Sequence, residues 1–462
     1  MRPMLKSGMR RSRRGQECVQ FGVDPERAVV LEPVDAAEAA FLDLLDGSRT
    51  QEALVREAAG LGLVPDRVRR LLARLAQGGV LDDAAAYGAL AAAPGRCSPA
   101  LERLRPDLAA LSVVHAGPGA APARMAHRNC SRVRVLGAGR VGAGVASVLA
   151  AAGVGAVDVV DAGRVSASDP APAGFPTDQV GERRDAAGRA LIRRAAGPPG
   201  PRRACGGRAG PPRAGTRRAP GGGWASDGAC ASGEAWAPGG AWASGGGLPG
   251  GRGGEGEVVT VLAPRDGLLA WSPDVVESRR LVASGVPHLY VGVLEGVAVV
   301  GPLVVPGRTA CGECLALSLA ARDPAWPRML AQLRSGPQAE VAACDVALAT
   351  AVAGLAAAHV LARLDGRVPP SAGGRVEVSL ARLAVRVRAL PPDARCGCGA
   401  AARARPAPPV PGAGTDTPGA AGSAGAVAGA GPAPGAAPRG SGRAGTGGAT
   451  GDASPRGGTM AT

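Results

Sequence analysis

Gly137, Gly139 and Gly142 stand in GxGxxG order where the apolar run VRVL gives way to the small-residue run VGAGVASVLAAAG, and Asp161 directly follows the next apolar run, AVDVV. A strand, a glycine turn, a helix and a second strand in that order let the backbone approach phosphates. They also aim free helix N–H groups at an anion and offer a carboxylate to ribose hydroxyls. A second set of residues is built from sulfur: Cys311 and Cys314 in ACGEC are answered by Cys396 and Cys398 in RCGCG. Four thiolates in two close pairs, each beside turn-forming residues, can complete the tetrahedral shell of zinc. They would leave no coordination position open, so the expected role of the metal is structural closure.

Other reactive side chains lack such company. Cys344 precedes a long apolar stretch, where a helix dipole could lower its pKa, but its surroundings read as core and it is expected to be a buried thiol. His288 and His359 also lie in apolar runs and are expected to be satisfied core histidines. No Ser, His and acid combination has the local context of a hydrolase.

The elements that must position these groups follow from periodicity and punctuation. Aromatic residues make up 2% of the chain while alanine, valine and leucine abound, so the core is aliphatic and the expected class is α/β. From residue 131 the pattern is that of a doubly wound, Rossmann-like, mainly parallel sheet, expected over 131–196 and again over 257–398. Within the second part VVTVLAP, Leu289–Val293 and Val297–Val304 read as strands, Ser278–Ala283 and Asp345–Leu364 as helices, and Arg375–Ala389 as a strand pair. Residues 16–84 form a small winged-helix-like module: a short strand pair around Val19–Leu31, then helices capped by Asp35 and Thr50 and a third with Pro65 near its start. Residues 85–130 read as an alanine-rich connector. Residues 197–256 and 399–462, dominated by Gly, Pro, Ala and Arg, read as a low-complexity insertion and a disordered tail.

The net charge of +15 raises the prospect of nucleic-acid binding, yet residues 1–14 contribute six of those charges, 197–254 five and 399–462 three. With residues 1–15 read as a basic disordered arm, the foldable parts are near neutral and a basic face on a folded domain is not expected. The basic start precedes no apolar run of signal-sequence length, and no eighteen-residue uninterrupted apolar segment follows. The expectation is a cytoplasmic protein with no membrane and no nucleic acid among its partners. Its ten cysteines would then be largely reduced.

The run from Val133 to Asp169 resembles the ThiF and ubiquitin-activating-enzyme family, with Val165 and Ser168 at matching places of that family's V-x-x-S-N motif and Asp169 where it has Asn. Pro306, Gly307, Thr309, Cys311 and Cys314 resemble the family's P-G-x-T-x-C-x-x-C. The resemblance implies an ATP-dependent adenylyltransferase in which the C-terminal carboxylate of a peptide or small carrier protein attacks ATP, with Mg2+ and structural Zn2+ as cofactors. It further implies that Arg184 stands for the lysine that reaches the phosphates, and that Asp266, or in second place Asp274 with Arg279 five residues on, holds magnesium. Ala and Pro around Pro172 replace an Arg-Gln pair, and the low-complexity stretch occupies the place of the third strand.

Together with the N-terminal module the chain resembles the ThiF-like partners of YcaO cyclodehydratases in azoline-forming peptide pathways. The implied partners are a peptide, a YcaO-like cyclodehydratase and a second copy of the chain in a homodimer. The first alternative is therefore a catalytically degenerate protein that presents a leader peptide. A nicotinamide-dependent oxidoreductase would explain the glycine loop but not the cysteine pairs. A winged-helix regulator would explain the N-terminal module, but Arg67, Arg69, Arg70 and Arg74 lie among acids rather than on a clear base-reading face.

Overall fold

The computed structural model describes residues 1–93, 98–197, 256–337 and 341–403. The low-complexity insertion and the tail fall almost wholly outside the described residues.

The chain opens with β1 (Pro3–Leu5), β2 (Arg11–Gly15), β3 (Cys18–Phe21) and β4 (Val29–Leu31), followed by α1 (Ala36–Asp43), α2 (Gln51–Ala58), α3 (Pro65–Gln77) and β5 (Leu81–Asp83). Asp35 caps α1 through the Glu38 N–H, Thr50 caps α2 through the Ala53 N–H, and Pro65 occupies the first turn of α3. Each helix turns one apolar stripe inward. Phe41, Leu54, Val68, Leu71 and Leu75 meet Val19, Phe21 and Leu31 of the antiparallel β2-β3-β4 sheet in one apolar core.

The first fifteen residues correct the expectation of a disordered arm. β1 pairs antiparallel with β5, and β2 pairs antiparallel with β3. Every residue of β2 is exposed, so backbone hydrogen bonds rather than buried side chains hold it. Arg11, Arg13 and Arg14 therefore form a basic edge on a folded module, contrary to the near-neutral surface expected. The Lys6 ammonium, buried, donates to the carbonyls of His115 and Ala116 and so ties this segment to the helical stretch beyond the module.

The described residues from 84 to 130 include the helices α4 (Ala84–Ala92), α5 (Ser98–Arg103), α6 (Arg105–Val114) and α7 (Ala120–Cys130). Arg128 on α7 forms a bidentate ion pair, 2.7 and 2.6 Å, with the fully buried Asp365.

The α/β body then runs β6 (Arg132–Leu136), α8 (Arg140–Ala151), β7 (Ala156–Val160), α9 (Arg184–Ala196), β8 (Val258–Leu262), α10 (Gly267–Trp271), α11 (Val275–Ala283), β9 (His288–Leu294) and β10 (Val297–Val304). It continues with α12 (Gly312–Arg322), α13 (Trp326–Ser335), α14 (Val346–Leu364), β11 (Gly374–Ser379), β12 (Ala384–Ala389) and α15 (Ala400–Arg403). Its sheet has the order β12-β11-β10-β9-β8-β6-β7. The half β9-β8-β6-β7 is parallel, and β10, β11 and β12 extend it antiparallel. Among the described residues β7 is the last strand on its side.

The longest helix, α14, has the length and apolarity of a membrane span, but Ala349, Val352, Ala353, Ala356, Ala357 and Val360 are buried in the body's core. A Cβ on Gly144 would lie 2.9 Å from the Ala353 Cβ, so α8 and α14 pack too closely there for a larger residue.

Candidate nucleotide mouth and cysteine cluster

Register brings the chemistry to one edge. Leu136 pairs with Val160 on one side and Leu262 on the other, so Gly137, Asp161 and Ala263 all emerge together at the carboxyl ends of β6, β7 and β8. The chain leaves β6 toward β7 and later returns to build β8 on its opposite flank. That change of direction opens the crevice where α/β sheets take their ligands.

The glycines are required by space. Gly137 has φ +94°, and a Cβ there would sit 2.2 Å from the Ala263 carbonyl oxygen; one on Gly142 would sit 2.0 Å from the Gly137 oxygen. Gly139 is the N-cap of α8, and no side chain caps that helix. The Asp161 carboxylate accepts the Ala138 N–H at 2.9 Å and the Gly163 N–H at 2.8 Å, which pins the glycine loop to the end of β7. Asp266 follows β8 and caps α10 by accepting the Leu268 N–H at 2.9 Å. Asp274 lies a helix further on, capping α11 and facing Arg334 at 3.7 Å, while Arg279 pairs with Glu313 instead.

Arg184 does not stand at the mouth as a free cation. Its guanidinium is buried, with Nε and Nη2 at 3.2 and 2.7 Å from Asp169 Oδ2 and Nη1 at 3.4 Å from Asp161 Oδ1. This corrects the expected reach to phosphates, and the cause is Asp169 itself. An Asn there could not neutralise an arginine, whereas the carboxylate can, so Asp169 and Arg184 form the two halves of one buried ion pair. Burial works against the Asp169 anion, but the Ser166 N–H and Arg184 outweigh it and hold its pKa below the ordinary carboxylate value.

Two other arginines line the loop. Arg140, the first residue of α8, donates to the carbonyls of Ser168 at 2.6 Å and Cys344 at 2.7 Å. Arg265 lies across the glycines: a Cβ on Gly139 would be 3.2 Å from its Cγ, and its Nη2 reaches Ser166 Oγ at 3.2 Å and Asp169 Oδ1 at 3.3 Å, with 47% of the side chain exposed. Sequence reasoning passed over Arg265. Its place directly before Asp266, just beyond the VVTVLA strand, was the available signal.

The cysteines converge at the other end of the sheet. Cys311 is the N-cap residue of α12, Cys314 lies in its first turn, and Cys396 and Cys398 follow β12. Their four sulfurs all lie within 4.8 Å of one another, with Cys311 to Cys314 at 3.9 Å, Cys311 to Cys396 at 3.5 Å and Cys314 to Cys398 at 3.7 Å. A tetrahedral zinc–thiolate shell with bonds of about 2.3 Å spaces its sulfurs by roughly 3.8 Å. The cluster is thus compatible with zinc in both chemistry and spacing. Tyr290, Val304, Leu315 and Leu390 pack round it, and the Asp393 N–H points at the Cys314 sulfur at 3.4 Å.

The remaining groups meet the core expectation unevenly: Cys344 is half-buried rather than buried, and His288 keeps a buried Nε2 with no hydrogen-bond partner among the described residues. Burial pushes the Cys344 thiol up, His359 Nδ1 meets Ser371 Oγ at 2.7 Å, and burial brings His288 down to about 4.

Residues 120–196 match the model of the ThiF family. The likeness in shape is wider: the structure of E. coli MccB with succinimide superposes with a TM-score of 0.56 at 14% identity, over 86% of this chain and 99% of that one. The microcin C7 biosynthetic enzyme MccB in complex with N-formylated MccA gives 0.56 at 13%, over 86% and 100%. E. coli MccB with ATP gives 0.55 at 13%, over 86% and 99%. At such identities the likeness is one of fold, and it extends well beyond the 77 residues that the family model matches. No curated protein sequence matches the chain.

Proposed function

We propose that this ThiF-type chain is an ATP-dependent adenylyltransferase acting on the C-terminal carboxylate of a peptide. The carrying observation is the uncapped start of α8 beneath the Gly137–Gly142 loop, with Asp161 and Asp266 at the ends of the flanking strands. The fold likeness to MccB, solved with ATP and with MccA, supports the same reading. In this reading the glycine loop holds the phosphates by backbone N–H groups and Asp161 orients the ribose. A carboxylate oxygen of the peptide attacks the α-phosphorus, the bond to the bridging oxygen breaks, and the products are an acyl adenylate and pyrophosphate. Asp266 would hold a magnesium ion, which supplies charge neutralisation to the phosphates when bound. The cysteine cluster would hold zinc and clasp α12 to the segment after β12. The peptide would dock on the N-terminal module as an added strand at a free edge of the β2-β3-β4 sheet.

One observation favours a second reading. With Arg184 spent on Asp161 and Asp169, the phosphate-binding machinery departs from the family pattern, as a protein that only presents a peptide to a YcaO-type cyclodehydratase could tolerate. Exchange of labelled pyrophosphate into ATP in the presence of a peptide with a free C-terminus separates the two. The enzyme exchanges, and Asp266→Asn abolishes it. ATP binding without exchange for any candidate peptide, while a partner cyclodehydratase requires this protein, leaves the presenter.

A further inference from the structure

One carboxylate at the mouth serves two arginines unequally. Arg184 grips Asp169 with two nitrogens from a buried position, while Arg265 touches the other oxygen with one nitrogen at 3.3 Å from a half-exposed one. Arg265 can therefore leave Asp169 without stranding a buried charge, because Arg184 stays behind to neutralise it. The stem of Arg265 already lies against Gly139, where α8 begins with its N–H groups uncapped. Arg140 is held on two backbone carbonyls and Arg184 is enclosed, so among the described arginines beside the loop Arg265 is the one with an exposed, exchangeable guanidinium.

We propose that Arg265 is the side chain that takes the phosphates of the bound nucleotide, exchanging Ser166 and Asp169 for phosphoryl oxygens, in place of the buried Arg184. This rests on the nucleotide-binding reading of the glycine loop and assigns that site's cation. The buried Asp169–Arg184 pair then has a positioning role: it shapes the loop from Val165 to Asp169 on which Arg265 rests when no phosphate is present.

Calorimetric titration of the full-length protein with ATP, AMP and adenosine in magnesium buffer tests the assignment, using wild type, Arg265→Ala and Arg265→Lys. A charge-assisted contact made only to phosphate predicts that Arg265→Ala weakens ATP by about 10- to 100-fold and leaves adenosine within about twofold, with Arg265→Lys between. A melting temperature equal to that of wild type checks that the Ala variant is folded, as its half-exposed position leads one to expect. Unchanged ATP affinity in Arg265→Ala, or an equal loss for ATP and adenosine, overturns the assignment while leaving nucleotide binding intact. Wild-type protein that binds none of the three overturns the nucleotide site itself, and the assignment with it.

Discussion

The cysteine cluster and the nucleotide mouth both gather side chains from distant parts of the chain, but they are satisfied in opposite ways. At the mouth, Asp161, Asp169, Arg184 and Arg265 satisfy one another and the surrounding backbone. At the cluster, four sulfurs stand 3.5 to 3.9 Å apart at the closest contacts, too far for disulfides and spaced for a shared cation. A site that is complete only with a metal is expected to depend on that metal for stability. A site that balances its own charges can exist empty and exchange one partner for a ligand.

The largest expected effect is therefore at the sulfurs. Purified, reduced protein should hold about one zinc per chain. Replacing Cys396 and Cys398 together by Ser should remove it and, since structural zinc binding is worth on the order of 10 kcal/mol, unfold the antiparallel half of the body or lower its melting temperature steeply. Metal analysis and thermal melting read this out. Full metal retention in the double variant would erase the contrast with the mouth.

At the mouth the corresponding cut should cost less. Asp169→Asn leaves Arg184 buried with only Asp161 at 3.4 Å, a loss of about 3 kcal/mol in urea unfolding. Restoring the family-like pair with Asn at 169 and Lys at 184 should recover at least about 1 kcal/mol of what the single changes lose together. Strict additivity would mean that the two positions do not act as a unit.

How much of this could be read from the sequence differs between the same two places. The cysteine pairs and the glycine loop show as local patterns, CxxC, CxC and GxGxxG, and the fold brings the two pairs, 85 residues apart along the chain, into one cluster with its sulfurs within 4.8 Å of one another. The helix caps at Asp35 and Thr50 were legible for the same reason. Arg265 and the Asp169–Arg184 pair were not. Their partners lie 99 and 15 residues away, and only the sheet register and the chain's path over the strand ends set those distances. β2 escaped notice because its arginines look like a solvated tail, while what makes it a strand is backbone pairing with β3, to which composition is blind. The helix α12 had no strong apolar stripe to announce it; α13 has one, Trp326, Met329, Leu330 and Leu333, that went unused, and none of its residues is buried.

The smallest expected effect concerns acid, and it sets the two places in order. His288, on β9, is fully buried, its Nδ1 meets the Val286 carbonyl at 3.0 Å, and its ring stands edge-on to Tyr290, which packs in the apolar shell of the cysteines. Burial lowers its pKa from 6.5 in water to about 4. The unfolded chain therefore binds a proton that the folded one refuses, and stability falls as the pH drops from 6.5 toward 4, by at most about 3 kcal/mol and more reasonably 1 to 2. The sign at Asp169 is the usual carboxylate one. Its pKa is held below 3.8, so its contribution is present above that value and is lost only as the pH falls further, through the folded-state pKa. Loss on the cysteine side should accordingly precede loss at the mouth. Chemical unfolding of wild type and His288→Gln at a series of pH values measures it: the variant should show a flatter dependence between 6.5 and 4, with the same fall below. An identical slope in both proteins would mean that His288 takes up its proton without disturbing the strand, and that acid reaches the two places together.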